Sequence, residues 1–186
     1  GFEFALTHRN TIGEVSYMVS ANIATNNNEI TDLSSSNDII NNLENGHGVA
    51  KYILREGESI GSFYGFESDG LYTQEEIDAG HYYTYGGVTP NAGDTKFVPQ
   101  RELDWGEEIT DSDRTIIGCE VPDFTYGINL SVNYKNFEFS IFGQGICGAD
   151  VAFEVYQVHP FFHGQDNPRR YHMGRWSEEN PNPHAI

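Results

Sequence analysis

The chain has 186 residues, with 10 Lys or Arg against 28 Asp or Glu, a formal charge of −18, and 13% aromatic residues. That balance excludes a nucleic-acid-binding face, because neutralising phosphates takes lysines and arginines. Its two cysteines, Cys119 and Cys147, are too few for a disulfide framework. No apolar run reaches the roughly 18 residues that a membrane helix needs.

The sequence opens directly in strand pattern at Gly1, without a start methionine, so we expect a piece of a longer protein. Phe2, Phe4 and Leu6 share one face of the first strand; Glu3, Ala5 and Thr7 share the other. In the second, Val15, Tyr17, Val19, Ala21 and Ile23 alternate with Ser16, Met18, Ser20, Asn22 and Ala24. This is the period-two signature of a half-buried strand. Placing Leu6 opposite Val15, Phe4 opposite Tyr17 and Phe2 opposite Val19 aligns the apolar faces, around a turn between His8 and Glu14. The first hairpin is thus expected over 1–25.

Residues 26–123 follow as one long connection. They hold 20 acids and five bases, so most of the negative charge sits there. A solvated acidic loop is the plain expectation for such a segment.

The second hairpin is expected over 124–147. Phe124, Tyr126, Ile128, Leu130, Val132 and Tyr134 oppose Thr125, Gly127, Asn129, Ser131 and Asn133; then Phe137, Phe139 and Ile141 oppose Glu138, Ser140 and Gln144. Setting Tyr134 against Phe137 across Lys135-Asn136 brings Val132 to Phe139 and Leu130 to Ile141. A one-residue slip would destroy either match. Residues 148–186 are expected to form a further loop and the region of the next strand.

Length distinguishes a membrane strand from a soluble one. Eleven residues from Phe124 to Tyr134 extend about 36 Å, and about 25 Å when tilted by about 45°, the height of an outer-membrane apolar band. That strand is aromatic at its ends and aliphatic between them, as interfacial girdles require. Two short turns against one very long connection match short periplasmic turns and long extracellular loops. The expected fold is therefore all-β: a partial antiparallel transmembrane β-barrel with one long extracellular loop. The competing fold is a soluble or secreted β-sandwich that binds calcium or carbohydrate, and a third possibility is a degraded reading frame with no product.

Several short blocks, in order, resemble one family. They are Gly1-Phe2-Glu3-Phe4 with Ser16-Tyr17 and Ala21-Asn22; Arg55-Glu56-Gly57 through Gly61-Ser62-Phe63-Tyr64-Gly65; and Gly93-Asp94-Thr95-Lys96-Phe97. Next come Ile109-Thr110-Asp111-Ser112-Asp113-Arg114 with Phe124-Thr125-Tyr126-Gly127; Tyr134-Lys135-Asn136-Phe137; and Arg175-Trp176-Ser177-Glu178-Glu179-Asn180-Pro181. Together they resemble the SusC/RagA-like TonB-dependent receptors of Bacteroidetes over nearly the whole chain.

The resemblance implies a barrel of about 22 strands with a plug, sitting in the cell outer membrane and importing nutrients with energy from TonB. It implies a SusD-like surface lipoprotein as partner, and oligosaccharide or peptide as cargo. The plug and the TonB-contacting region would lie N-terminal to this stretch.

In that family the block at Gly93 is followed by a run resembling a calcium loop, which needs oxygen ligands at alternating positions and a glycine at the sixth. Anchored on Ile109-Thr110, the run puts Glu102, Asp104 and Asp113 at positions one, three and twelve. Gly106 then takes the fifth position and Glu107 the sixth, so the pattern is degraded or shifted by an insertion. A solvated acidic loop is the expectation, with bound calcium as the alternative.

The remaining constellations carry less. His159 and His163 bracket a loop-like pair that surface polarity explains better than a metal. Glu75-Glu76 and Glu107-Glu108 are adjacent acids that tend to point apart, unlike the paired acids of a glycosidase. Gly86-Gly87 before Pro90 is a turn. No catalytic residue is expected. Phe63, Tyr64, Phe66, Tyr82, Tyr83 and Tyr85 fall in the long connection, where they could stack on a sugar face or pack against one another.

Overall fold

A computed structural model describes residues 1–34, 37–42, 51–153, 167–182 and 184. Four strands of 11 residues each dominate it: β1 (Phe2–Ile12), β2 (Val15–Thr25), β11 (Phe124–Tyr134) and β12 (Phe137–Cys147). They form one antiparallel sheet in the order β1-β2-β11-β12. Its outer strands, β1 and β12, have a sheet neighbour on one side only, so the barrel does not close within this stretch.

The three registers agree on which side chains share a face. Phe4 lies opposite Ile23, Ile23 opposite Tyr126, and Tyr126 opposite Gly145. Lower in the sheet, Tyr17 meets Val132 and Val132 meets Phe139. One face therefore carries Phe2, Phe4 and Leu6, then Val19 and Ile23, then Tyr126 and Ile128, then Phe137, Phe139 and Ile141, all of them exposed. The opposite face carries mostly small or polar residues, such as Ser20, Asn22, Asn129, Ser131 and Gln144. A continuous exposed apolar face of this size would be an aggregation surface in water and is the normal outer wall in lipid. Among the described residues no helix is long and apolar enough to cross a membrane.

The second hairpin has the register expected from its pattern, with Tyr134 opposite Phe137 and Leu130 opposite Ile141. The first does not. Its strands run on through His8, Arg9 and Asn10 to Ile12, which pairs with Val15, so Leu6 meets Ala21 rather than Val15. Polar His8-Arg9-Asn10 had suggested a turn. The chain instead reverses over the two residues Gly13 and Glu14, with Gly13 at φ 63°, the left-handed start that a tight two-residue hairpin demands. The displacement is six residues, an even number, so the same side chains stay on the apolar face.

Both tight turns lie at the same end of the sheet, where Val15 pairs with Tyr134. Lys135, itself at φ 53°, reaches across to Glu14 at 3.1 Å. At the other end the long connection leaves after Thr25 and returns at Phe124, and the backbone N–H of Asn26 donates to the carbonyl of Asp123 at 3.1 Å.

The expected single loop over 26–123 is folded. Among its described residues it contains β3 (Ile39–Asn42), β4 (Lys51–Leu54), β5 (Ser62–Gly65), β6 (Ser68–Leu71), α1 (Gln74–Asp78), β7 (Thr84–Tyr85), β8 (Thr95–Phe97), β9 (Glu108–Ile109) and β10 (Thr115–Cys119). These strands form a sheet ordered β10-β5-β4-β3 and two further two-stranded pairs, β6-β8 and β7-β9.

The described residues divide into two compact units. One comprises Gly1–Ile40, Tyr52–Ser62 and Gly118–Val151; the other is built on Phe63–Ile117. The short helix α1 starts where Thr73 and Glu76 form a capping box: the Thr73 hydroxyl accepts the Glu76 N–H, and the Glu76 carboxylate accepts the Thr73 N–H. Among the described residues of 148–186 there is a 3-10 turn over Arg170–Gly174 and an isolated bridge between Ser177 and Asn180. His159 and His163 lie outside the described residues. Cys119 and Cys147 are both free thiols.

Candidate functional site

The chemistry-bearing side chains gather in the unit built on Phe63–Ile117. Its centre is a ring cluster assembled from β7, β8 and the residues between β5 and β6. Phe66 packs edge-on against Tyr85 at 5.3 Å and lies 5.1 Å from Phe97, and Tyr85 meets Phe97 edge-on at 5.6 Å. Edge-to-face contacts at these distances suit the quadrupoles of the rings. The guanidinium of Arg114 sits over the face of Phe66, 4.1 Å from the ring centre.

Beside this cluster is a cavity of about 300 Å³ walled by Tyr72, Tyr83, Tyr85 and Phe97, with Ile109 and Asp94 contributing. Tyr72 and Ile109 are buried, while Tyr85 and Asp94 are exposed at the rim. The Tyr72 hydroxyl accepts the backbone N–H of Tyr83 at 3.0 Å, which ties two walls together. Burial is the main effect on the Tyr72 phenol and raises its pKa, so it stays neutral at physiological pH. Asp94 is the one ionisable acid of the lining. Its carboxylate accepts the N–H of Asn91 at 2.7 Å, closing the turn over 91–94.

That turn is held from outside. Gly93 adopts φ 91°, and the Trp176 indole lies so close that a Cβ at Gly93 would fall 2.6 Å from it. Two sequence blocks more than eighty residues apart, Gly93-Asp94 and Arg175-Trp176, thus meet at one glycine. Lys96, in the middle of β8, is fixed by Glu76 at 3.0 Å and Asp69 at 3.2 Å. Burial works against its charge, but the two carboxylates outweigh it and its pKa is raised.

Of the six aromatic residues singled out by sequence, Tyr83 and Tyr85 line the cavity and Phe66 supports it from behind. Phe63 is buried in the hydrophobic core, and Tyr64 is half-buried. Tyr82 contributes its backbone carbonyl, which accepts the N–H of Gly106 at 2.7 Å. Sequence reasoning missed Tyr72 and Phe97. It also missed Trp105, which is 56% exposed and stacked on Tyr83 at 4.9 Å, with His81 at 5.2 Å. The available signal was a tryptophan between acids at a glycine turn, in Asp104-Trp105-Gly106-Glu107.

The three acids of the calcium-like run have different surroundings. Asp113 is fully buried at the end of a 3-10 turn. It accepts the N–H of Thr110 at 2.9 Å and that of Gln100 at 3.3 Å, and pairs with Arg101 Nε at 3.2 Å. Burial pushes its carboxyl up, yet these donors prevail and hold it below the ordinary carboxylate range. Glu102 and Asp104 are exposed. Residues 104–107 form a closed turn in which Glu107 N–H donates to the Asp104 carbonyl and Asp104 N–H to the Glu107 carboxylate. Among the described residues no group of three or more acids, histidines or cysteines is gathered as metal ligands. Asp113 is held as a buried anion by Thr110, Gln100 and Arg101.

No family model matches the chain. Among curated proteins, TonB-dependent receptor P3 of Formosa agariphila is 34% identical over 98% of this chain and 18% of its own length. TonB-dependent receptor P26 of the same organism is 29% identical over 97% of the chain, and receptor P39 is 26% identical over 73% of it. The chain spans between 15% and 18% of the length of these relatives.

Proposed function

We propose that this chain, which belongs to the TonB-dependent receptor family, supplies four wall strands and a folded extracellular unit to an outer-membrane importer. The observation that carries this is the four-stranded sheet: four strands of 11 residues, one shared exposed apolar face, and both tight turns at one end. That length and that face fit an outer-membrane wall. The folded connection at the opposite end then lies outside the cell, where cargo first arrives.

The finer reading is a SusC-type importer that takes up oligosaccharide or peptide, works with a SusD-like lipoprotein, and draws on TonB through a region N-terminal to this stretch. The aromatic cavity with the exposed Trp105 platform supports a ligand-facing role for the connection. Rings of this kind stack on sugar faces and on peptide side chains. The chain's own residues would bind and orient cargo; nothing in this reading asks them for bond-breaking chemistry.

Topology is the sharpest test. In the full-length receptor on intact cells, with Cys119, Cys147 and any other native cysteine replaced by serine, single cysteines at Val88 and at Asn136 should behave oppositely toward an impermeant maleimide. Val88→Cys should label on whole cells, and Asn136→Cys only after lysis. The reverse pattern would overturn the reading. Cargo uptake that persists unchanged without TonB would remove the energy-coupled part of it.

A further inference from the structure

We propose that the cavity between Tyr72, Tyr83, Tyr85 and Phe97 is a site for a small organic cation, an alkylammonium group held by ring faces and by Asp94. This deepens the proposed function by naming a ligand class for the extracellular unit, and it rests on that unit being open to the medium. Four aromatic residues and a single acid are among the walls of this partly open cleft of about 300 Å³. Aromatic rings carry negative potential on their faces, and an enclosed cation gains from several of them together. One carboxylate at the rim adds a full counter-charge without filling the space.

Among the described residues no cation pairs with the acid of that site. Asp94 accepts an N–H from Asn91 but forms no ion pair among the described residues. Lys96, two residues away, is held by Glu76 and Asp69. The basic side chains Arg55, Arg101 and Arg114 are likewise paired, with Asp38, Asp113 and Asp111.

The ring cluster also shows its electrostatic character on its far side. There Arg114 lies over Phe66, the ring that packs against both Tyr85 and Phe97. A neutral apolar ligand would gain only from burial, and an anion would meet Asp94 in a segment already carrying 20 acids. The site is preformed: Tyr72 is pinned to the Tyr83 backbone, and the Asp94 turn is held where Trp176 covers Gly93.

The test compares choline with its neutral isostere 3,3-dimethyl-1-butanol by calorimetric titration of the full-length receptor in detergent. The two differ in charge and little in shape. Choline should saturate one site and bind at least about tenfold more tightly than the isostere, the size expected for a desolvated cation among rings. Asp94→Asn keeps the Asn91 acceptor and should weaken choline about fivefold. Tyr85→Leu should bring the two ligands to within about twofold of each other. Equal affinity for both in the unaltered receptor would overturn the proposal, and so would saturating choline binding that ignores both substitutions or no heat from choline at all. Maleimide labelling of Val88→Cys is read separately on intact cells, so a failed membrane topology is recognised apart from a failed cation site.

Discussion

The four long strands and the connection they flank contrast sharply in what they bury. Among the described residues, the buried hydrophobic ones, Ile53, Phe63, Tyr72 and Ile109, all lie outside β1, β2, β11 and β12. The long strands expose Phe2, Phe4, Leu6, Ile128, Phe137 and Phe139 instead. The connection has a small core, a capped helical turn and a set of internal ion pairs. The contrast teaches that one chain is written for two solvents. In lipid, strands need backbone pairing and an apolar outer face, whereas in water a segment must bury its own apolar groups.

The largest effect expected from breaking this contrast is on the sheet. Ile128→Arg puts a charge on the apolar face near mid-strand and should cost about 2–4 kcal/mol. Asn129→Arg, one residue on and on the opposite face, should change stability by less than about 0.5 kcal/mol. Receptor recovered in the outer membrane in folded, heat-modifiable form reports both. Equal losses would dissolve the distinction between the two faces.

In the connection, Asp113→Ala should cost about 1–3 kcal/mol, because it strands the N–H groups of Thr110 and Gln100 together with Arg101. Arg101 is half-exposed, which keeps the loss below that of a fully buried pair. The folded-state pKa of Asp113 is lowered, so its stabilisation is present above the unfolded value of about 3.9 and fades as pH falls through the folded one. Hydrogen-exchange protection over 100–114 should therefore drop in acid, and Asp113→Asn should flatten that dependence.

Gly93→Ala should cost about 1–3 kcal/mol locally, from the positive φ and from displacing Trp176. Faster exchange over 91–97 would report it. The smallest effect is at the turn: Lys135→Gly removes about 1–2 kcal/mol of left-handed strain but adds about 0.5–1 kcal/mol of chain entropy to be lost on folding, so it should stabilise by no more than about 1 kcal/mol. Loss of the exposed Glu14 ion pair subtracts little from that.

How much of this was legible depended on period and length. Phe124–Tyr134 and Phe137 through Ile141 each alternate without a break on either side of Lys135-Asn136, so both strands and their register could be read directly. The first hairpin was half legible: its faces were right, but polar His8-Arg9-Asn10 hid the last part of β1. The fold inside 26–123 was not legible, because its strands are two to five residues long and some partners are remote, as with Thr84 and Glu108. Such pieces carry no measurable period. The cavity was legible only in part, since Tyr83 and Tyr85 stand in an aromatic run while Tyr72 and Phe97 are single residues placed by β6 pairing with β8. Asp113 was visible as an acid at a fixed spacing; its role as a buried anion came from Arg101 and two backbone donors that spacing does not reveal.

The even displacement in the first hairpin bears on how such walls change over evolutionary time. A strand pair lengthened or shortened by two residues keeps every side chain on its own side, and only the turn has to move. A single insertion reverses the lining of a whole strand. Hairpin lengths among related receptors should therefore differ in steps of two, with odd steps confined to places where a bulge absorbs the extra residue. Gly13, Glu14, Lys135 and Asn136 are then the residues that select one pairing from a ladder of near-equivalent ones, and the barrel's height can drift while its chemistry stays fixed.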